Sequence, residues 1–233
     1  MRIVTNERKV KLYSRFARLS SILGFGFLVA GLVISFRLSN LQQAYLSTFA
    51  GFTLATIGAY LVERWVRDPI AHTTLETSLK SLNDRYTLIN YLLPASHVLL
   101  TPRGLVVLRT KRQDGRVTYS NGQWKQDFKW THFFQGMTRE WLGDPTKELY
   151  QDLDRVNDWV AERFPDDASA IDVEGIVVFL NWDLKIEIDG SLPVLAVRFG
   201  DLKRVIRGPH TKDMRPLRPK IRKAIAEAAG GNA

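Results

Sequence analysis

Two long stretches of the chain carry no charged side chain and are rich in apolar residues. Residues 19–36 read LSSILGFGFLVAGLVISF, and residues 44–62 read AYLSTFAGFTLATIGAYLV. Each stretch is close to the ~20 residues that an α-helix needs to cross the hydrocarbon core of a bilayer. Residues 37–43 between them are enough for a tight turn and little else. The sequence therefore predicts a transmembrane helical hairpin over residues 19–66.

The basic residues near the hairpin indicate its orientation, because flanking Lys and Arg stay on the cytoplasmic side of a membrane. The turn holds Arg37 alone, whereas residues 1–18 form a basic N-terminus and two more cations follow the second stretch. We therefore expect a multi-pass protein of the cell (inner) membrane with both termini and the soluble domain in the cytoplasm. The flanking cations are Arg2, Arg8, Lys9, Lys11, Arg15, Arg18, Arg64 and Arg67.

Small residues recur every fourth position on the second predicted helix, at Gly51, Ala55 and Ala59. Small residues at this spacing let two membrane helices approach closely. They either pack the hairpin against its own first helix or form a contact with a second copy or a membrane-protein partner. The spacing alone leaves both interpretations open.

Composition restricts the partners and the kinds of site. The 233 residues include no cysteine and carry a formal net charge of +9. Disulfides and thiolate metal sites are therefore excluded. A basic chain favours polyanions, here anionic membrane lipids or nucleic acid. The candidate anion-binding residues lie in and just before a basic tail, residues 208–233, and are Lys203, Arg204, Arg207, Lys212, Arg215, Arg218, Lys220, Arg222 and Lys223.

Between the hairpin and the tail, residues 71–207 have the patterns of an α+β domain. Helices are predicted from Ala71, over 145–163 with Asp144 as N-cap, over 201–207, and in the tail over 219–229. Short runs rich in branched residues predict strands, and Asn121-Gly122 predicts a tight hairpin. A mixed sheet flanked by helices is the expected packing. The predicted strands cover 87–93, 97–101, 105–110, 116–120, 123–125, 173–180 and 193–198. The aromatic stretch 128–144 is expected to cover a core edge or to stack on a partner.

Several motifs occur together in a recognisable order within this domain. Glu76 lies on the first helix, and residues 96–104 read SHVLLTPRG. Residues 109–111 read RTK, residues 115–124 read GRVTYSNGQW, and residues 144–148 read DPTKE. The region 75–207 resembles the nuclease-related domain (NERD) family, a branch of the restriction-endonuclease-like PD-(D/E)XK group. The resemblance implies a restriction-endonuclease-like fold behind the two-helix anchor.

The same resemblance implies that the metal ligands of the family have been replaced. The family pattern has Asp where this chain has Ser96, and Glu-x-Lys where it has Arg109 and Lys111. Phosphodiester cleavage of this kind needs Mg²⁺ held by carboxylates. Arg109 is a permanent cation at a position where a dication should sit. We expect Arg109 to pair instead with Glu76 or Glu148.

The expected role is thus a membrane-anchored cytoplasmic pseudo-nuclease, which acts as a scaffold or as an accessory subunit of a membrane complex. Its vestigial centre is Glu76, Ser96, Arg109, Lys111 and Glu148, without catalytic residues, metal or cofactor. One alternative is a membrane-tethered, Mg²⁺-dependent nuclease with a centre rearranged around Glu76, Lys111 and Glu148. The other is a catalytically inactive nucleic-acid-binding protein.

Overall fold

The structure, a computed structural model, describes residues 1–36, 40–67, 69–127, 141–208, 211 and 213–230. They divide into two compact units. One is a helical unit over Arg8–Ile70. The other is an α/β unit that holds the described residues of Met1–Glu7, Ala71–Asp127 and Trp141–Ala233. Within the aromatic stretch, residues 128–140 lie outside the described residues.

The helical unit contains two long helices, α1 (Glu7–Ser35) and α2 (Leu41–Trp65). Both are long and apolar enough to cross a membrane. Helix α1 begins well before the apolar stretch. Residues 7–18, most of the predicted basic N-terminus, therefore form its first turns. The buried positions recur every seven residues, at Ala17, Gly24 and Gly31 on α1 and at Ala44, Gly51, Gly58 and Trp65 on α2.

The glycines of this unit let the two helix backbones touch. A Cβ on Gly51 would lie 2.6 Å from the backbone nitrogen of Leu28, and a Cβ on Gly58 would lie 2.6 Å from that of Ser21. Neither distance is possible for a real side chain. Gly51 and Ala55, which contacts the Gly24 position, are therefore used in packing α2 against α1.

The α/β unit is built on two sheets. The larger has six strands in the order β1-β2-β3-β4-β7-β9, and the smaller has three in the order β6-β5-β8. Strands β2, β3 and β4 are antiparallel, whereas β1 with β2, β4 with β7 and β7 with β9 are parallel. The strands are β1 (Arg2–Thr5), β2 (Thr87–Asn90), β3 (His97–Thr101), β4 (Gly104–Lys111), β5 (Arg116–Ser120), β6 (Gln123–Gln126), β7 (Val173–Phe179), β8 (Lys185–Ile188) and β9 (Leu195–Arg198).

Four α-helices of the described residues pack on the large sheet, which separates two apolar cores. The helices are α3 (Ala71–Leu79), α4 (Pro145–Arg163), α5 (Phe199–Ile206) and α6 (Pro219–Gly230). Alternate residues of a strand point to opposite faces. Leu105 and Val107 of β4 accordingly belong to the core with α4 and α6, whereas Val106 and Leu108 belong to the core with α3 and α5. The predicted mixed sheet flanked by helices is confirmed.

The predicted hairpin turn and the predicted helix N-cap are both present in this unit. Asn121 and Gly122 both have left-handed backbones, with φ of 51° and 76°, as a tight β-hairpin requires. The side chain of Asp144 accepts a hydrogen bond from the backbone N–H of Lys147, as expected of an N-cap.

The structure differs from the predicted layout at both ends of the chain. Residues 2–5, assigned from sequence to a free basic N-terminus, form the edge strand β1 of the large sheet. In the C-terminal tail, Ile221, Ile225 and Ala229 of α6 are buried in the α4 core. The helical hairpin is therefore an insertion between β1 and α3 of the α/β unit.

Candidate functional site

Strand β4 carries the two cations of the expected vestigial centre to one face of the sheet. Arg109 and Lys111 are two residues apart, so they point to the face that Leu105 and Val107 occupy, towards α4. The antiparallel register pairs Val98 of β3 with Val107. Continued by two residues, this register places Ser96 opposite Arg109 on the same face. The structure thus brings Arg109 and Lys111 to one face, and Ser96 directly precedes β3.

Helix α4 supplies the anions that meet these cations. Glu148 and Asp152 are one turn apart, so they lie on the same side of the helix. The guanidinium of Arg109 pairs with Glu148 through Nη2 and with Asp152 through Nη1, the latter at 3.2 Å. Of the two partners expected for Arg109, the structure therefore shows Glu148, together with Asp152.

Lys111 is the most deeply buried charge of this cluster. Its side chain is 1% exposed, and its Nζ donates a hydrogen bond of 2.9 Å to Oε1 of Glu148. Asp152 is 4% exposed and also pairs with Arg155 on the next turn of α4. Buried charges are tolerated when they are paired. Three cations and two carboxylates thus pair with one another here, although the buried Nε of Arg109 has no hydrogen-bond partner among the described residues. We call this group the Arg109 cluster: Arg109, Lys111, Glu148, Asp152 and Arg155.

This donor set does not fit the metal that the fold family implies. A magnesium ion needs carboxylate or other oxygen ligands at close range. In the Arg109 cluster both carboxylates are already engaged by cations, and the guanidinium lies between them. Opposite Arg109, Ser96 offers a neutral hydroxyl in place of a carboxylate. Within the described part of the chain, no three His, Asp or Glu side chains converge as a metal site would require.

Glu76 lies on the other face of the sheet, which corrects its assignment to the vestigial centre. Its Oε1 accepts hydrogen bonds from Nδ2 of Asn90 at 3.3 Å and from Oγ1 of Thr5 at 3.5 Å. Asn90 in turn contacts Nδ1 of His97 at 2.9 Å. His97 alternates with Val98 and therefore points to the α3 face. The arrangement of Glu76, Lys111 and Glu148 that a rearranged nuclease would need is not formed.

Burial shifts the pKa of two titratable groups on the α3 face, those of Glu76 and His72. The pKa of Glu76 is raised because burial disfavours its charged form, an effect that the hydrogen bond from Thr5 partly opposes. The pKa of His72 is lowered by burial. The ring of Tyr91 contacts those of both His72 and His97, with centroids 5.8 and 4.8 Å away. These groups tie α3, β2 and β3 together on the face opposite to the Arg109 cluster.

The nine candidate anion-binding residues do not form one surface. Lys203, Arg204 and Arg207 belong to α5 and the residue after it, and α5 packs on the α3 face. Lys220, Arg222 and Lys223 belong to α6, which packs on the α4 face. Between the two helices, Arg215 is bound to Asp172 and Arg218 lies 3.9 Å from Asp167. Lys212 lies outside the described residues.

Sequence reasoning missed Asp152 and Arg155, although one signal pointed to Asp152. It follows Glu148 by four residues on a helix whose boundaries were predicted, which places it one turn further along the same side. Asn90 and Thr5 gave no comparable signal, because their roles depend on the pairing of β1 with β2.

Comparison with known proteins supports the resemblance seen in the motifs. Residues 69–180 match the family model described as "NERD: Nuclease-related domain". No curated protein and no solved structure matches the chain significantly. The matched residues run from the start of α3 to the end of β7, and they include the whole Arg109 cluster. Residues 69–180 of this chain are therefore similar to the nuclease-related domain (NERD) family.

Proposed function

We propose that this protein is a membrane-anchored pseudo-nuclease, a NERD domain whose centre has become a structural ion-pair cluster. The observation that carries the proposal is the position of Arg109, whose guanidinium pairs with both Glu148 and Asp152. A metal-dependent phosphodiesterase needs the opposite arrangement, in which carboxylates are open to a dication. Loss of the metal ligands leaves binding as the remaining function of the domain.

Membrane anchorage is the second part of the proposal. The helical unit consists of two helices of sufficient length and apolarity, and their large outward side chains are apolar. The segments before and after the hairpin, β1 and α3, belong to the same unit, which agrees with both ends being on one side of a bilayer. The density of Lys and Arg on these flanks favours the cytoplasmic side of the inner membrane. The domain would act there as a scaffold or accessory subunit of a membrane complex.

The metal question is tested by calorimetry on the full chain in detergent. The soluble fragment from Ala71 is a poor sample because it lacks β1. We expect no saturable Mn²⁺ or Mg²⁺ binding and no cleavage of DNA or RNA. The matched variant, Ser96→Asp with Arg109→Glu, restores the acidic residues of the family pattern. It should bind about one Mn²⁺ per chain, as a carboxylate-lined site does.

Two results would refute this proposal for the centre. One is single-site Mn²⁺ binding by the unaltered protein that disappears in Glu148→Ala. The other is cleavage activity that copurifies with the unaltered chain and is lost in the same variant. The scaffold role has its own test, because purification from native membranes should yield a stoichiometric membrane partner. Purification of the chain alone under mild detergent, with no partner after chemical crosslinking, would argue against that role.

A further inference from the structure

We propose that the exposed face of α5 is a binding surface for anionic lipid headgroups. This α5 surface consists of Lys203, Arg204 and Arg207, with Lys80 beside them at the end of α3. The inference rests on the proposed membrane anchorage, and it selects one part of the basic C-terminal region as the part that meets the membrane.

Helix α5 separates apolar and basic residues cleanly. Leu202 and Ile206 are buried in the core shared with α3, at 0% and 2% exposure. Arg207 follows Arg204 by three residues and Lys203 by four, so the exposed Arg204 and Arg207 and the half-buried Lys203 lie along the side away from Leu202 and Ile206. The side chain of Arg204 is 83% exposed. Asp201, 3.2 Å from Arg204, offsets part of this charge and leaves the surface strongly positive.

The α5 surface is fixed to α3 by specific contacts. The hydroxyl of Ser78 donates a hydrogen bond to the carbonyl of Phe199, the first residue of α5. At the other end, Nη2 of Arg207 donates to the carbonyl of Ser81 at 3.1 Å. These two bonds attach α5 to residues 78–81, which include the exposed Lys80.

Helix α3 is in turn held close to the hairpin by the covalent chain. Helix α2 ends at Trp65, and α3 begins at Ala71. Six residues of fully extended chain span about 20 Å at most. The start of α3 can therefore be no further than about 20 Å from the end of α2, whatever the placement of the two units. Anionic headgroups attract Lys and Arg within about a Debye length of the surface.

Helix α6 lacks these features and provides a matched control. It also carries three cations, Lys220, Arg222 and Lys223, but it packs on the opposite face of the sheet from α3. It lies at the far end of the described chain from the hairpin. Lys223 is moreover 3.7 Å from Glu227 on the next turn. Equal charge on the two helices thus separates the effect of position from the effect of net charge.

The experiment uses the full chain in lipid nanodiscs with a fluorophore on a single cysteine, which is straightforward because the chain contains none. Gly200→Cys at the start of α5 and Gly230→Cys at the end of α6 suit the label, since no atom of the described residues lies within 4 Å of a Cβ at either position. The nanodiscs contain either neutral phosphatidylcholine alone or an added fraction of phosphatidylglycerol. A quencher on the lipid headgroups reports proximity of the label to the membrane surface.

The proposal expects strong quenching at position 200 in anionic nanodiscs and weaker quenching in neutral ones. Replacing Lys203, Arg204 and Arg207 with Gln should remove at least about half of the anionic effect, because each cation near the surface contributes to the attraction. Replacing Lys220, Arg222 and Lys223 with Gln should leave it unchanged. Raising the salt concentration should weaken the quenching at position 200, as screening requires.

Several outcomes would overturn the proposal. Quenching at position 200 that is equal in neutral and anionic nanodiscs would do so, as would equal loss of quenching in the two triple variants. Alkaline carbonate extraction of the reconstituted protein tests the membrane anchorage by itself, and so distinguishes a failure of the lipid-binding proposal from a failure of the anchorage proposal. A chain that resists extraction but shows no charge-dependent quenching retains the anchor and lacks the lipid surface. A chain that is extracted refutes both.

Discussion

The ammonium of Lys111 lies 2.9 Å from one carboxylate oxygen of Glu148 and 2.8 Å from the other. Both residues belong to the Arg109 cluster, in which the Lys111 side chain is almost completely buried. Of the Glu-x-Lys pattern of the family, this lysine is the residue that the chain retains. Its partner here is Glu148 on α4, and in the proposed pseudo-nuclease this lysine has a structural role.

Glu148→Ala should destabilise the α/β unit strongly. It leaves Lys111 buried without its anion, and breaking a buried pair in this way costs about 3–5 kcal/mol of unfolding free energy. The measurement is the Tm of the full chain in detergent, with Glu162→Ala as the control, since Glu162 is an exposed residue of the same helix. A Tm for Glu148→Ala equal to that of the control would show that the ion pair contributes nothing to stability.

Glu76→Gln should gain stability relative to the unaltered protein as the pH rises. The pKa of Glu76 is raised above its ordinary value of 4.5 because burial penalises the carboxylate. The folded state therefore favours the protonated form, and the advantage of that form is lost as the pH rises through the folded pKa. Glutamine keeps the neutral side chain at every pH.

The test for Glu76 is the Tm of both proteins between pH 4 and pH 8, with the pH range chosen around the ordinary glutamate pKa. The difference should be near zero at the acid end and should favour Gln at neutral pH. A difference that runs in the opposite direction would mean that the carboxylate form makes a stabilising contact with Thr5 or Asn90 that outweighs burial.

Asp172→Asn should loosen the attachment of the segment that leads to α6. Asp172 accepts hydrogen bonds from the backbone N–H of Arg215 at 2.6 Å and from its Nε at 3.0 Å. These bonds hold the pKa of Asp172 below its ordinary value of 3.8. The stabilisation is therefore complete above pH 3.8 and is lost as the pH falls through the lower folded pKa.

The unaltered protein and Asp172→Asn should consequently differ in Tm at neutral pH and converge on acidification. Asp167→Asn is the matched control, because the contact of Asp167 with Arg218 is long, at 3.9 Å, and should contribute little. A constant difference between the unaltered protein and Asp172→Asn down to strongly acidic pH would contradict the role of the ionised carboxylate.

Val4→Pro should weaken the large sheet more than Ile3→Pro does. The N–H groups of Arg2 and Asn6 donate to the carbonyls of Tyr86 and Asn90 at 2.9 and 3.0 Å. Because the strand repeat is two residues, the N–H of Val4 also faces β2, whereas that of Ile3 faces away. Proline removes a ladder hydrogen bond only at the first of these positions.

Hydrogen exchange at β2 is the appropriate measurement for this pair of variants, since β2 becomes an edge strand when β1 detaches. Faster exchange of the Leu88 and Asn90 amides is expected in Val4→Pro and a much smaller change in Ile3→Pro. Equal exchange in the two variants would indicate that β1 contributes to the sheet through side chains alone.

What the sequence could predict follows from the range of the interactions involved. Helix α4, its N-cap Asp144 and the Asn121-Gly122 turn depend on neighbouring residues, and all three were predicted correctly. Strands β1 and β8 have four residues each, and both are held by parallel pairing with distant segments. Both were missed, because their pairing depends on segments that are far away in the sequence.

The site divides in the same way. Arg109 and Lys111 share a face because they are two residues apart on a strand, which the sequence shows directly. Whether Glu76 reaches that face depends on the side of the sheet on which α3 packs. Leu75 and Leu79 show that α3 has a buried side, but they carry no information about which face of the sheet covers it. The sequence therefore left Glu76 and Glu148 as equal candidates, although only Glu148 is near.

The insertion of the hairpin between β1 and α3 links membrane topology to completion of the fold. Residues 2–5 are synthesised before the two apolar helices, whereas their partner β2 is synthesised after them. If only one of the two helices crossed a bilayer, β1 and β2 would lie on opposite sides of it, and β2 would keep an open edge. An open edge is a template for aggregation. In the proposed membrane-anchored protein the large sheet is therefore completed only in chains whose two apolar helices both cross the bilayer.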